Sequence, residues 1–122
     1  MKYFILAFKK WNDINGRANL REYWYYVLFN YIFWFTLVLI DVIIFVDDVY
    51  TASQSEYILS TIFSLISFLP SLTLTVRRYH DVNKSGWNLL WALTIIGLLY
   101  LFILTLLKGS EKDNHYGAPS NA

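Results

Sequence analysis

The sequence predicts an all-α membrane protein with three transmembrane helices and a short interfacial helix at its N-terminus. Three observations carry this. The 122 residues are 57% hydrophobic and 20% aromatic, more apolar surface than a soluble chain of this size can bury. No Lys or Arg occurs from Tyr23 through Val76. The remaining bases gather in a few segments beside the apolar runs, as threading across a bilayer requires. Length allows one domain, 1–122.

The interfacial segment covers 2–12, where Phe4, Phe8 and Trp11 share a helical face beside Lys9 and Lys10. A frayed hydrophobic N-terminus is the alternative reading. Its six-residue apolar core, Tyr3 to Phe8, is too short for a secretory signal and precedes no small-residue cleavage site, so the chain is expected to be retained whole. The first span covers 23–46, about 36 Å of helix at about 1.5 Å per residue, against a hydrocarbon core of about 30 Å. The second and third cover 57–76 and 87–107, each about 30 Å long. Asn15-Gly16 and the stretch from Asp81 to Gly86 read as turns, and 108–122 reads as a mobile tail.

Charge sets the orientation. Lys2, Lys9, Lys10, Arg17 and Arg21 precede the first span, Asp47, Asp48 and Glu56 follow it, and Arg77, Arg78 and Lys84 follow the second. The positive-inside rule places the N-terminus and the second loop in the cytoplasm. Three simple crossings then leave the tail outside. Gly97 suggests the alternative of a re-entrant hairpin, which is set aside because about ten residues per arm cannot cross the core.

Polar residues within the spans form two groups. Ser60, Ser64, Ser67, Ser71 and Thr75 fall on one stripe, expected to be a helix-packing seam, with a polar substrate path as the alternative. Pro70 on the same helix removes the donor for the Ile66 carbonyl, and Ser67 is placed to take up that acceptor. Asn30 and Asp41 share a face of the first helix, where an intramembrane acid often marks an ion or proton path. Asp41 lies only five residues from Val46 and is expected near the outer interface, within reach of water. Trp24, Tyr25, Tyr26, Trp87 and Trp91 fit an aromatic belt at one face.

The candidate binding site is a cytoplasmic collar of Arg17, Arg21, Arg77, Arg78, His80, Asp81 and Lys84, suited to lipid phosphates or a protein partner. Arginine at four of its five basic positions favours planar, bidentate recognition. Glu22 and Asp81 are the available internal partners, Asn19 with Glu22 reads as a capping box, and Ser85 as a cap for the third helix. His80-Asp81 invites an acid/base or metal reading, yet the chain has two His, no Cys and no further carboxylate at ligand spacing. No Gly-rich phosphate loop or nucleophile elbow is present, so no catalytic residue, metal or cofactor is assigned and nucleic acid is not expected as a partner.

Gly16-Arg17-Ala18-Asn19-Leu20-Arg21-Glu22-Tyr23-Trp24, Arg77-Arg78-Tyr79-His80-Asp81 with Ser85-Gly86-Trp87, and Asn114-His115-Tyr116-Gly117 together resemble the domain-of-unknown-function 805 family of small bacterial inner-membrane proteins. The likeness covers essentially the whole chain. Family members usually carry a further base at Leu20, a second aromatic at Asn88 and a Gly-Pro step at Gly117-Ala118. The resemblance implies an inner-membrane location and a multi-span fold; it brings no established activity, substrate or cofactor. The reading is therefore a non-enzymatic binding or scaffold component in contact with anionic lipid, with a homo-oligomer or a membrane-protein partner allowed. A subunit of an oligomeric transporter or channel comes second, and a phospholipid-modifying enzyme third.

Overall fold

A computed structural model describes residues 1–120. Its helices are α1 (Lys2–Lys9), α2 (Leu20–Ile44), α3 (Ile58–Asp81) and α4 (Ile95–Leu106), with 3₁₀ segments at Gln54–Glu56 and Gly86–Leu93. No strand forms among the described residues, only an isolated bridge between Asn114 and Gly117.

Helices α2 and α3 are each long and apolar enough to cross a membrane. Only 6% of the most apolar stretch of α2 and 28% of that of α3 is buried within the chain, so neither is the core helix of a soluble fold. The distribution of side chains is inverted. The largest fully buried ones are Arg77, Arg78, Leu74, Glu22 and Asp41, while Ile43, Leu65, Leu93, Ile95 and Ile96 face outward.

Helix α1 is packed along α2. Phe4 and Phe8 lie against the Tyr26 ring, Phe4 also meets Phe33, and Tyr3 stacks on Tyr25 at 5.5 Å. Trp11 lies beyond the helix end and is exposed. Helix α2 starts at Asn19, whose Oδ1 accepts the Glu22 N–H at 2.7 Å. The expected capping box is only half present, because the Glu22 carboxylate turns to Arg77 and Ser120 instead.

Asp41 joins the far ends of α2 and α3. Its carboxylate accepts the backbone N–H groups of Leu59 and Ser60 at 2.9 and 2.8 Å, and the residue is wholly buried. The expected water-accessible position is thus corrected: Asp41 supplies the cap that α3 lacks locally. Helix α3 continues through Pro70, and Ser67 donates to the Ser64 carbonyl rather than to Ile66. It ends in a Schellman motif, with Asn83 in the left-handed region at φ 59°, Asn83 N–H on His80 O and Lys84 N–H on Tyr79 O.

The third apolar segment departs from the expected straight helix. Gly86–Leu93 is a 3₁₀ arm of about 16 Å, Thr94 is extended, and α4 is an arm of about 18 Å, each near half of a hydrocarbon core. Thr94 caps α4 by accepting the Gly97 N–H at 2.9 Å. A Cβ on Gly97 would lie 1.9 Å from the Trp91 carbonyl oxygen, so only glycine fits where the arms meet. Tyr100 donates to Asn88 across the hairpin at 3.1 Å. Ser85 precedes the first arm without capping it; its carbonyl receives Asn88 instead.

Both ends of this hairpin lie together. Ser110 N–H donates to Asp81 O at 2.8 Å, joining the start of the tail to the end of α3. The start of the tail thus lies at the end of the molecule where α3 stops, rather than at the opposite end that a single straight helix implies: the segment leaves and returns to the same end. The hairpin arms need not cross the core for that. The tail expected to be mobile lies, over 108–120, as a strap across the starts and ends of the helices; 121 and 122 lie outside the described residues.

Candidate functional site

The basic end of the molecule is organised around Asp81. One carboxylate oxygen accepts from Arg17 Nε at 3.0 Å and lies 2.9 Å from its Nη2; the other accepts from Arg78 Nη1 at 2.6 Å. All three residues are buried. Two cations on one anion leave charge to disperse, and backbone carbonyls take it up. Arg17 donates to Lys112 O at 2.9 Å, Gly117 O at 3.1 Å and Ser110 O, all on the strap. Arg78 donates to Ala18 O at 3.1 Å and to Thr105 O and Leu107 O at the end of α4. Trp24 Nε1 shares Thr105 O at 2.9 Å. The guanidinium groups thus cap α4 and fasten the strap.

Close approach requires Gly109. A Cβ there would sit 1.8 Å from Asp81 Oδ2.

The second pair is looser. Arg77 Nη1 lies 3.8 Å from Glu22 Oε2, and neither that oxygen nor any guanidinium nitrogen of Arg77 has a hydrogen-bond partner among the described residues. The Arg77 carbonyl accepts Ala18 N–H at 3.0 Å, so the backbone here still locks the N-terminal loop onto α3. Ser120 donates to Glu22 Oε1 at 3.2 Å.

His80 stands apart from its neighbour Asp81. Its Nδ1 faces Gly16 O at 3.0 Å and must carry a proton to bond there, while the ring stacks on Tyr116 with centroids 4.0 Å apart. With Asp81 occupied by two arginines, the two residues form no acid/base dyad. No group of three metal-ligating side chains converges among the described residues.

Of the collar residues, then, Arg17, Arg77, Arg78, His80 and Asp81 turn inward, and Arg21 and Lys84 remain exposed. Sequence reasoning missed the strap as a participant: Ser110, Lys112 and Gly117 act through backbone carbonyls, which no residue type advertises. Gly109 was the available signal. A cleft of about 400 Å³ lies between the start of α2 and the strap, bordered by Arg21, Lys108 and Glu111. Lys108 donates to Glu111 at 2.6 Å; this bond holds the carboxyl below its ordinary pKa and the exposed ammonium above its own.

The intramembrane candidates also separate. Ser60 and Ser67 are buried, Ser71 and Thr75 half-buried and Ser64 exposed; Ser60, Ser64, Ser67 and Thr75 donate to carbonyls of their own helix. The side chain of the stripe that meets α2 is Ser71, whose Oγ lies 2.5 Å from Tyr26 Oη. Asn30 and Asp41 are not brought together: Asp41 bonds the start of α3 while Asn30 lies about 16 Å away along α2.

The model of the protein family described as "Protein of unknown function (DUF805)" matches residues 11–118. The chain belongs to the DUF805 family. Among its relatives are Inner membrane protein YhaI of Escherichia coli K12, 34% identical over 118 residues, and Inner membrane protein YhaH of the same strain, 32% identical over 118 residues. Each alignment covers 96% of this chain, with 93% of YhaI and 94% of YhaH. No solved structure matches. The match begins at Trp11, so in this DUF805 protein α1 lies before the family region, while the loop bearing Arg17 and nearly all of the strap lie inside it.

Proposed function

We propose that this DUF805 protein is a non-enzymatic component of the bacterial inner membrane, with its basic end in the cytoplasm, that docks anionic lipid headgroups there. The carrying observation is the segregation of exposed charge. Arg21, Lys84 and Lys112 lie at the end where α2 starts and α3 stops, and the loop at the opposite end holds Asp47, Asp48 and Glu56 without a base. The names Inner membrane protein YhaH and YhaI support the inner membrane as the location. In this reading the arginine network shapes the dock rather than touching the ligand. Arg21 and Lys108 border the cleft of about 400 Å³ at headgroup depth, beside the N–H groups that open α2.

The test is extraction in native-lipid discs with mass spectrometry of what copurifies, wild type against Arg21→Ala plus Lys108→Ala. Each base near an anionic leaflet contributes about 1 kcal/mol, so the wild-type enrichment of anionic over zwitterionic lipid falls about tenfold or more in the variant. Undiminished enrichment overturns the lipid dock. A protein that copurifies with wild type alone transfers the site to a protein partner.

A further inference from the structure

The cross-section of the molecule differs between its two ends. Helices α2 and α3, about 37 and 36 Å long, match the thickness of a hydrocarbon core. At the far end they stand as a pair, joined where Asp41 bonds the Leu59 and Ser60 amides. No further α-helix among the described residues covers the groove of about 430 Å³ bordered there by Trp34, Val38, Thr61 and Leu65.

Three more segments crowd the basic half. Helix α1 lies against Tyr25, Tyr26 and Phe33, all within about 20 Å of Leu20 along α2. The two arms of the hairpin, about 16 and 18 Å long, start and finish beside the end of α3, where Leu89, Tyr100, Leu101 and Leu104 pack around Tyr79.

The hairpin tip belongs in hydrocarbon. Leu93 and Ile95 are 86% and 88% exposed, so the tip touches almost nothing of the chain itself. Its one polar side chain is satisfied within the turn: Thr94 Oγ1 donates to Trp91 O at 3.1 Å and accepts Gly97 N–H at 2.9 Å. In water this would be a bare apolar edge, whereas in lipid it leaves no hydrogen bond unmade. A helix about 10–12 Å in diameter occupies about 80–110 Å², so α1 and the two arms together add about 240–330 Å² to one leaflet and nothing to the other.

We infer that the chain is a wedge for membrane shape: it widens the leaflet at its basic end and collects where the bilayer bends strongly with that leaflet on the convex side. The surface it recognises is a curved lipid surface, and the inference requires the bilayer placement alone, not the lipid dock.

The test is sorting into narrow tubes pulled from giant vesicles of zwitterionic lipid, where the basic cleft has no anionic headgroup to hold. The chain has no cysteine, so Asp113→Cys on the strap and Thr51→Cys between α2 and α3, both exposed positions, each accept a membrane-impermeant maleimide dye. Each dye marks only molecules that present that end outward. Relative to lipid, the Asp113→Cys form is at least about twofold denser in the tube than in the parent vesicle, and the Thr51→Cys form is less dense than in the parent. Adding Leu93→Asp plus Ile95→Asp to the first form, at side chains that touch lipid rather than protein, draws the tip toward the headgroups and returns its ratio toward one. Equal ratios for the two labels, enrichment of the Thr51→Cys form instead, or full enrichment kept by the tip variant each overturn the inference. The two labels decide it even if the tip variant fails to insert.

Discussion

Asp81→Ala isolates the central charge of the basic end. The substitution removes the one carboxylate between Arg17 and Arg78, whose side chains are both fully buried, and leaves two guanidinium groups facing each other. Their carbonyl partners on the strap and on α4 remain, but these dipoles, which disperse the one excess charge of the intact network, do not replace the lost anion between two buried cations. Breaking a buried pair from one side costs about 3–5 kcal/mol, and Asp81→Ala belongs at the upper part of that range because two pairs are lost. Arg17→Met is milder, about 1–3 kcal/mol, because Asp81 keeps Arg78 at 2.6 Å while the strap carbonyls lose their donor. Combining the two changes removes one of the orphaned cations, so the double variant recovers about 1–3 kcal/mol relative to the sum of the singles. Unfolding by SDS titration in mixed micelles, followed by tryptophan fluorescence, measures all three. Burial also makes the losses far less sensitive to salt than those of an exposed pair. A loss under about 1 kcal/mol for Asp81→Ala, the range of an exposed pair, refutes the structural role assigned to the network.

Gly109→Ala forces a Cβ into Asp81 Oδ2 and dislodges the strap; limited proteolysis then cuts 108–120 rapidly in the variant and slowly in wild type, and equal rates exclude the packed strap. Asp41→Ala removes the shared cap of α3 and costs about 2 kcal/mol, with faster hydrogen exchange at the Leu59 and Ser60 amides as the local sign; unchanged exchange rejects the cap. Arg77→Met alone strands Glu22 and costs about 3–5 kcal/mol, whereas Arg77→Met plus Glu22→Leu remains within about 1 kcal/mol of wild type, since their 3.8 Å contact makes no hydrogen bond; a double variant as unstable as the single one contradicts this. A reporter fused after the strap reads out on the same side of the membrane as one fused before α1, and opposite-side activity rejects the returning hairpin.

Both long helices were legible, because unbroken apolarity over more than twenty residues has few other meanings. The Asn19 cap was legible for the same local reason. The third segment was legible only through the alternative that Gly97 offers, since apolarity measures length but carries no direction: Thr94 and Gly97 turn the chain within a run that is otherwise continuous. At the basic end, residue types disclosed the charges but not their orientation. Arginine beside a bilayer serves equally to meet phosphate and to gather carbonyls, and the choice here depends on a strap whose contribution is backbone. Asp41 was misjudged by counting distance along its own helix, when its partner amides begin the next one.

One rule connects these polar residues. Asp41 fastens the end of α2 to the start of α3, Arg78 fastens α3 to the end of α4, Arg17 and Asp81 fasten the N-terminal loop to the strap, and Glu22 receives Ser120 near its end. Each offsets the cost of burial by joining segments that apolar contacts with lipid cannot distinguish, because lipid chains are as apolar as the helices themselves. Asn30 obeys no such rule, for its Oδ1 joins nothing among the described residues.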